Sequence, residues 1–182
     1  MFRSALEATV MIRCLSEEGI ALDLATKGKH SALSRIAVRI ARRSGLDEQL
    51  VLRGLWRSEC LGSTGIGRGV AIPHALFDMI SSPVASFTRL MPAIDFGGPD
   101  DDPVDIVYTL LWPRSAAAAF LPALSQVRRV LRAVRTREEL RQAHSADEVM
   151  AIPDAAPSSG ISISSHTHRA GRVVMSTQLS NG

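Results

Sequence analysis

The sequence predicts an α/β fold, a single domain in which a mixed central sheet is flanked by helices and followed by a flexible C-terminal tail. Short apolar segments typical of strands alternate with segments of helical periodicity over residues 1–152. Over 153–182 the composition changes to Pro, Ser, Gly, Thr and His, without an apolar period that could fold alone. We therefore expect one domain over 1–152 and a flexible tail over 153–182.

The helical periodicity is clearest before position 60. Residues 31–43 place apolar side chains on one stripe opposite arginines, which predicts an amphipathic helix that stops at Gly45. Asp47 is positioned to cap a second helix. We expect that helix to reach about Glu59, although Gly54 weakens it.

Strands and further helices follow. The apolar segments predict strands at 70–72, 84–90 and 104–112, the last of them central because it is apolar almost throughout. A long helix is expected over about 115–134, with inward side chains at Leu121, Leu124, Val127, Val130, Leu131 and Val134. Pro122 is expected either to kink this helix or to mark its first turn. Shorter helical stretches are expected from Thr136 and near Asp147.

Size and composition exclude several classes of protein. The chain has 182 residues, of which 46% are hydrophobic, so it can bury a substantial core. No apolar run approaches the roughly 20 residues of a membrane helix, and the N-terminus lacks the pattern of a secretory signal. Cys14 and Cys60 are too few and too far apart to indicate a disulfide framework or a zinc site. We expect a cytoplasmic protein without a metal, a cofactor or a membrane span.

The charge pattern argues against nucleic acid as a partner. The net charge of +3 comes from 21 basic and 18 acidic residues, which is a small excess for a nucleic-acid-binding domain. The arginines recur with helical spacing, which predicts the solvated faces of two helices, or a contact for an acidic protein. The two sets are Arg35, Arg39, Arg42 and Arg43, and Arg128, Arg129, Arg132, Arg135 and Arg137.

The segment 61–74, which reads LGSTGIGRGVAIPH, is the most informative part of the chain. Its glycines let the backbone turn sharply and expose N–H groups, and Pro73 then rigidifies the approach to His74. So much backbone freedom before one imidazole predicts that His74 carries chemistry. The alternative is a glycine-rich surface loop followed by a structural histidine.

Two familiar glycine-rich motifs do not fit this segment. Gly62 and Gly67 have the spacing of a P-loop, but Arg68 and Gly69 stand where that motif needs Lys and then Ser or Thr. The loop also runs into a predicted strand, whereas a P-loop opens a helix. A dinucleotide site needs a third glycine at its own spacing and a βαβ unit, and both are lacking. A nucleotide-binding enzyme is therefore the least favoured function.

The segments STGIG at 63–67 and GVAIPH at 69–74 instead resemble the phosphorylation motif of a known family. The family is that of the IIA domains of the bacterial phosphotransferase system, in its fructose–mannitol and nitrogen-regulatory branch. The resemblance extends over about 19–152, through ALDLA at 21–25, AIDF at 93–96 and PVDI at 103–106. It implies that His74 accepts a phosphoryl group from a histidine phosphocarrier protein.

The chemistry of the segment agrees with that implication. A neutral imidazole is a good nucleophile near neutral pH, and phosphoryl transfer needs positioning and neutralised charge. Backbone N–H groups in the loop can form an anion-binding concavity. The expected phosphate environment is Ser63, Thr64, Gly65, Gly67, Arg68 and Gly69. The hydroxyls of Ser63 and Thr64 either contact the phosphoryl group or cap the loop, and Arg68 is either a cation for the phosphate or an exposed loop charge.

Two positions depart from the pattern that the resemblance implies. The family usually has an Arg-Glu pair where this chain has Ser58 and Glu59. Arg57 is one residue earlier, about 100° around a helix, so Arg57 and Glu59 are only possible support for the site. The family also usually has an assisting histidine where this chain has Phe120, whose ring cannot donate a hydrogen bond. These departures imply slower phosphoryl transfer.

Two functions remain. In the first, a nitrogen-regulatory IIA-like protein is phosphorylated on His74 and regulates partner proteins through the added charge of roughly −1.5 to −2. The absence of a sugar-transport domain from this chain favours that type, which is a phosphoryl-accepting component rather than a free-standing enzyme. In the second, Ser58 and Phe120 mark a degenerate paralogue that binds partner proteins without being phosphorylated.

Overall fold

The structure, a computed structural model, describes residues 13–152. Its strands are β1 (Ile20–Leu24), β2 (Gly65–Gly67), β3 (Val70–Ala71), β4 (His74–Phe77), β5 (Val84–Ile94) and β6 (Val104–Pro113). They form one six-stranded sheet in the order β1-β5-β6-β3-β2, with β4 also paired to β6. Parallel and antiparallel pairs both occur, so the predicted mixed α/β sheet is confirmed. The predicted tail over 153–182 lies outside the described residues.

Helices cover both faces of the sheet. Those that lie wholly within the described residues are α1 (Lys29–Ser44), α2 (Glu48–Leu61), α3 (Ala117–Arg132), α4 (Val134–Gln142) and α5 (Ala146–Ala151). One apolar core lies between the sheet and the pair α1 and α2, and a second lies between the sheet and α3, α4 and α5. None of the helices in residues 13–152 is long and apolar enough to cross a membrane.

The first two helices form for the local reasons that the sequence indicates. Gly45 ends α1 in the left-handed region, at φ 71°. The carboxylate of Asp47 caps α2 by accepting the backbone N–H of Leu50 at 2.9 Å. Gly54 lets α2 approach β4 closely, because a Cβ atom at this position would lie 2.7 Å from Cζ of Phe77. This close approach fixes α2 against the strand that begins with His74.

Strand β6 is central, as its apolar sequence predicts. It pairs antiparallel with β5 along one edge, and parallel with both β3 and β4 along the other. Strand β3 lies opposite Ile106 and Val107, whereas β4 starts again with His74 opposite Leu110. The interruption between β3 and β4 therefore lies at Ile72 and Pro73, just before the histidine.

The second half of the chain corrects two predictions and excludes one of the two alternatives for Pro122. Leu121 and Val134 are 67% and 54% exposed, so they are not core residues. The reason for Val134 is that α3 ends at Arg132, and Val134 opens α4 in a new direction. Pro122 lies inside α3 rather than in its first turn. Arg137 is not on a solvated face but 6% exposed, and it donates to the carbonyl oxygens of Leu131 and Arg132 at the end of α3.

Candidate functional site

Main-chain hydrogen bonds hold Ile72 and Pro73, the two residues before His74, from both sides. The N–H of Ile72 donates to the carbonyl oxygen of Thr64 at 2.9 Å, which ties this pair of residues to the glycine-rich loop. The N–H of Leu110 donates to the carbonyl oxygen of Pro73 at 3.0 Å, which ties it to the central strand β6. His74 is half-buried at the start of β4. The imidazole thus stands on a fixed backbone.

The ring of His74 has a defined tautomer. Its Nδ1 atom lies 2.8 Å from the carbonyl oxygen of Ile72. A carbonyl oxygen can only accept, so Nδ1 must carry the proton and donate it. In the neutral ring the lone pair then lies on Nε2, which is the nucleophilic nitrogen.

The carboxylate of Glu59 holds the glycine-rich loop through hydrogen bonds to Thr64. Its side chain is 3% exposed, and its Oε1 atom accepts a hydrogen bond from Nζ of Lys29 at 2.8 Å. The carboxylate also accepts the backbone N–H of Thr64 at 3.0 Å and the hydroxyl of Thr64. A buried carboxylate with several donors is a stable arrangement. The possible support that the sequence assigns to Glu59 therefore takes the form of hydrogen bonds to Thr64 in the loop.

The hydroxyls of Ser63 and Thr64 serve the loop itself. Ser63 Oγ donates to the carbonyl oxygen of Phe96 at 2.8 Å and accepts the N–H of Gly65 at 3.2 Å. The hydroxyl hydrogen of Thr64 is engaged by Glu59. Of the two roles considered for these hydroxyls, the structure favours capping the loop.

His74 opens on two cavities that share Ser58, Leu61 and the imidazole. The larger one, of about 880 Å³, also includes Arg57 and Phe120 in its lining. The smaller one, of about 310 Å³, is lined on one side by the loop residues Ser63, Thr64 and Gly65, and on the other side by α3. Both cavities leave space beside the imidazole for a small group.

The other half of the loop is not brought to His74. Gly67, Arg68 and Gly69 all have positive φ, at 86°, 60° and 77°, and form the tight turn between β2 and β3. Strand β3 separates this turn from His74. The N–H of Arg68 donates to Asp100 at 2.6 Å, which lowers the pKa of that carboxyl. Of the residues predicted to surround a phosphate, Ser63, Thr64 and Gly65 line the smaller cavity beside His74, and Gly67, Arg68 and Gly69 do not.

The two departures from the family pattern lie beside His74. Ser58 lines both cavities. The phenyl ring of Phe120 packs against the imidazole, with ring centroids 5.3 Å apart. Arg57 is exposed and lines the larger cavity only. The structure thus brings these positions together, and it offers the imidazole an apolar neighbour on the side of α3.

Sequence reasoning missed Arg128 at the site and Lys29, which supports Glu59. Arg128 lines the smaller cavity although the pattern assigns it to a solvated face. Its signal is the spacing of Phe120, Leu124 and Arg128, which recur every four residues on one side of α3. Lys29, the partner of Glu59, gives no signal in the sequence. Within residues 13–152, no group of three His, Cys, Asp or Glu side chains is placed to hold a metal ion.

Comparison with known proteins agrees with this geometry. The family model described as "Phosphoenolpyruvate-dependent sugar phosphotransferase system, EIIA 2" matches residues 13–154. The chain is 36% identical over 144 residues to a "Nitrogen regulatory protein" of Bradyrhizobium diazoefficiens, covering 78% of this chain and 94% of that protein.

Solved structures show the same fold. The nitrogen regulatory protein IIA-Ntr of Neisseria meningitidis superposes with a TM-score of 0.75 at 32% identity, over 78% of this chain and 97% of that one. The mannitol IIA protein of Escherichia coli superposes with a TM-score of 0.63 at 20% identity, over 75% and 96% of the two chains, and this likeness shows the fold alone. The chain therefore belongs to the EIIA 2 family of the phosphoenolpyruvate-dependent sugar phosphotransferase system.

Proposed function

We propose that this chain is a cytoplasmic regulator of the nitrogen-regulatory type, and that a histidine phosphocarrier protein phosphorylates it on His74. One observation carries the proposal: Nδ1 of His74 donates to Ile72, so Nε2 is left as the nucleophile in a ring that lines two open cavities. The relatives named nitrogen regulatory protein support the regulatory type over a dedicated sugar carrier.

The proposed step is a transfer between two imidazoles. Nε2 of His74 attacks the phosphorus atom of the carrier's phosphohistidine, and an N–P bond to His74 forms. The N–P bond in the carrier breaks, and the carrier's nitrogen keeps the electron pair. Nδ1 of His74 retains its proton throughout, held by the carbonyl of Ile72. The protein contributes orientation and neutralised charge, which are the main requirements of phosphoryl transfer.

Regulation of partner proteins follows from where the new charge would appear. Leu61 and Met79 line the larger cavity and are 84% and 67% exposed, so apolar surface surrounds the site. Arg53, Arg57 and Arg114 lie on the same surface. A phosphoryl group adds roughly −1.5 to −2 charge at its centre. Partners that bind this surface would therefore distinguish the two states of His74.

The test is phosphorylation in a reconstituted system. The protein is incubated with phosphoenolpyruvate, the first enzyme of the system and the phosphocarrier protein, and its intact mass is followed. We expect the wild type to gain one acid-labile phosphoryl group. The His74→Ala variant is expected to gain none, and label that survives in it would remove His74 from the mechanism.

The contact of Phe120 with His74 favours a second candidate, a degenerate relative that binds proteins without phosphorylation. Because a phenyl ring offers no hydrogen bond to a phosphoryl oxygen, the site could retain its shape and lose its reaction. A wild-type protein that gains no mass with an active carrier, yet retains its partners in pull-down experiments, would establish this second function.

A further inference from the structure

We propose that Arg128 is the cation that binds the phosphoryl oxygens on His74. This inference rests on the proposed phosphorylation of His74. Arg128 is the one lysine or arginine that lines the smaller cavity among the described residues, and no carboxylate lines that cavity. The same cavity is bounded by His74 and by the loop residues Ser63, Thr64 and Gly65.

The position of Arg128 on α3 explains how it reaches the cavity. Phe120, Leu124 and Arg128 follow one another at four-residue intervals, so they share one side of the helix. Phe120 contacts the imidazole of His74, and Leu124 lines the smaller cavity together with Arg128. One side of α3 therefore carries Phe120 against His74 and, two turns later, the guanidinium of Arg128 at the smaller cavity.

The guanidinium of Arg128 is available for a ligand. Arg128 is exposed and makes no hydrogen bond or ion pair within the part of the chain that the structure describes. Arg114, a cation on the larger cavity, is instead paired with Asp78 at 3.2 Å. A guanidinium presents several donors in a planar fork that matches phosphate oxygens, and such charge-assisted contacts are the strong ones.

Arg57 is the competing cation, and the architecture disfavours it. Arg57 lines the larger cavity, which the loop residues Ser63 to Gly65 do not line. A phosphoryl group bound on the loop side of His74 would lie in the smaller cavity, which Arg128 also lines. Because the N–H groups of Thr64 and Gly65 already donate to Glu59 and to Ser63 Oγ, the guanidinium of Arg128 is the charged donor that this cavity offers the phosphoryl oxygens.

The experiment compares phosphoryl transfer from the phosphorylated carrier to four proteins: the wild type, Arg128→Gln, Arg128→Lys and Arg132→Gln. Arg132 is an exposed control on the next turn of α3. We expect Arg128→Gln to slow transfer by about 10- to 150-fold, the loss of one charge-assisted hydrogen bond. Arg128→Lys should recover part of the rate, and Arg132→Gln should match the wild type. Thermal melting checks that all variants fold.

An arginine placed elsewhere in the smaller cavity distinguishes a direct contact of Arg128 with the phosphoryl group from a structural role. Ser58 lines the same small cavity, so if the cavity needs a cation, Ser58→Arg should raise the rate of transfer more in the Arg128→Gln background than in the wild type. A purely structural role for Arg128 predicts the same gain from Ser58→Arg in both backgrounds.

Two results would overturn the inference while leaving the proposed function intact. One is an Arg128→Gln protein that transfers at the rate of the Arg132→Gln control. The other is a larger loss in Arg57→Gln than in Arg128→Gln, which would place the cation in the larger cavity. A wild type that accepts no phosphoryl group at all would overturn both the inference and the proposed function.

Discussion

The phenyl ring of Phe120 lies against the imidazole of His74, with centroids 5.3 Å apart and planes tilted by 44°. The centroid of the same ring lies 6.0 Å from that of the Trp112 indole, so the three rings form an aromatic cluster between α3 and the sheet. Phe120 therefore gives His74 a rigid apolar wall. It cannot give a phosphoryl group a hydrogen bond.

Replacing Phe120 and Ser58, the two departures from the family pattern, should accelerate phosphorylation. We predict that Phe120→His and Ser58→Arg together raise the rate of transfer by at least about tenfold, since each adds a charge-assisted contact worth roughly 1.5–3 kcal/mol. Rapid-quench measurement with the phosphorylated carrier gives the rate. Leu121→His is the matched control, because Leu121 is 67% exposed on the same helix. Absence of any gain in the double variant would show that these two positions do not limit transfer.

Removing the charge of Glu59 should loosen the loop. Glu59→Gln leaves the ammonium of Lys29 without its partner and weakens the hold on Thr64. We predict a loss of about 1 to 3 kcal/mol in the free energy of unfolding, measured by urea denaturation, together with slower phosphorylation. Glu48→Gln, on the exposed first turn of α2, should change neither quantity. Unchanged stability of Glu59→Gln would contradict the supporting role of the carboxylate.

A small substitution in α2 tests the contact between α2 and β4. Alanine is a better helix former than glycine by about 0.8–1 kcal/mol, yet a Cβ atom on Gly54 would lie 2.7 Å from Phe77. Overpacking of this kind costs about 1–3 kcal/mol, so we predict that Gly54→Ala lowers the free energy of unfolding. Gly62→Ala is the control, because nothing lies within 4 Å of its Cβ position. A more stable Gly54→Ala protein would mean that α2 can shift away from β4.

The ion pair of Asp23 and Arg89 should make stability depend on pH. Arg89 Nε donates to Asp23 Oδ1 at 2.8 Å, and this hydrogen bond lowers the carboxyl pKa below its usual value of 3.8. In the folded state the carboxyl releases its proton more readily than in the unfolded state. Its stabilisation is therefore present above the usual pKa and is lost as the pH falls through the lowered one.

The corresponding measurement is urea denaturation of the wild type and Asp23→Asn across that acidic range. We predict that the wild type is the more stable protein near neutral pH and that the difference shrinks as the pH falls below about 4. A difference that stays constant with pH would show that the pair contributes nothing through titration of Asp23.

The sequence predicts those helices and strands whose form depends on local residues. It does not predict a strand whose form depends on pairing with a distant segment. Helix α1, the Asp47 cap and the central strand β6 follow from periodicity, capping and apolar content. Strand β4 gives no such signal, because His74–Phe77 contains no β-branched residue. Its extended form comes from pairing with Leu110–Pro113 on β6.

The site shows the same division. Arg68 and Gly69 are near His74 in sequence, but the structure does not bring them to it, because the turn they form lies beyond β3. Arg128 is distant in sequence, and only the packing of α3 over the sheet brings it to the cavity beside His74. The loop residues Ser63 to Gly65 lie beside His74 because the hydrogen bond from Ile72 to Thr64 acts over a short stretch of chain.

The most direct test of the central claim is to locate the phosphoryl group on the phosphorylated protein at neutral or basic pH. Peptide mass spectrometry identifies the residue, and imidazole nitrogen NMR identifies the ring atom. We predict one phosphoryl group, on Nε2 of His74, since Nδ1 is held by the carbonyl of Ile72. A phosphoryl group on Nδ1, on another histidine, or on no residue of the wild type would contradict the claim.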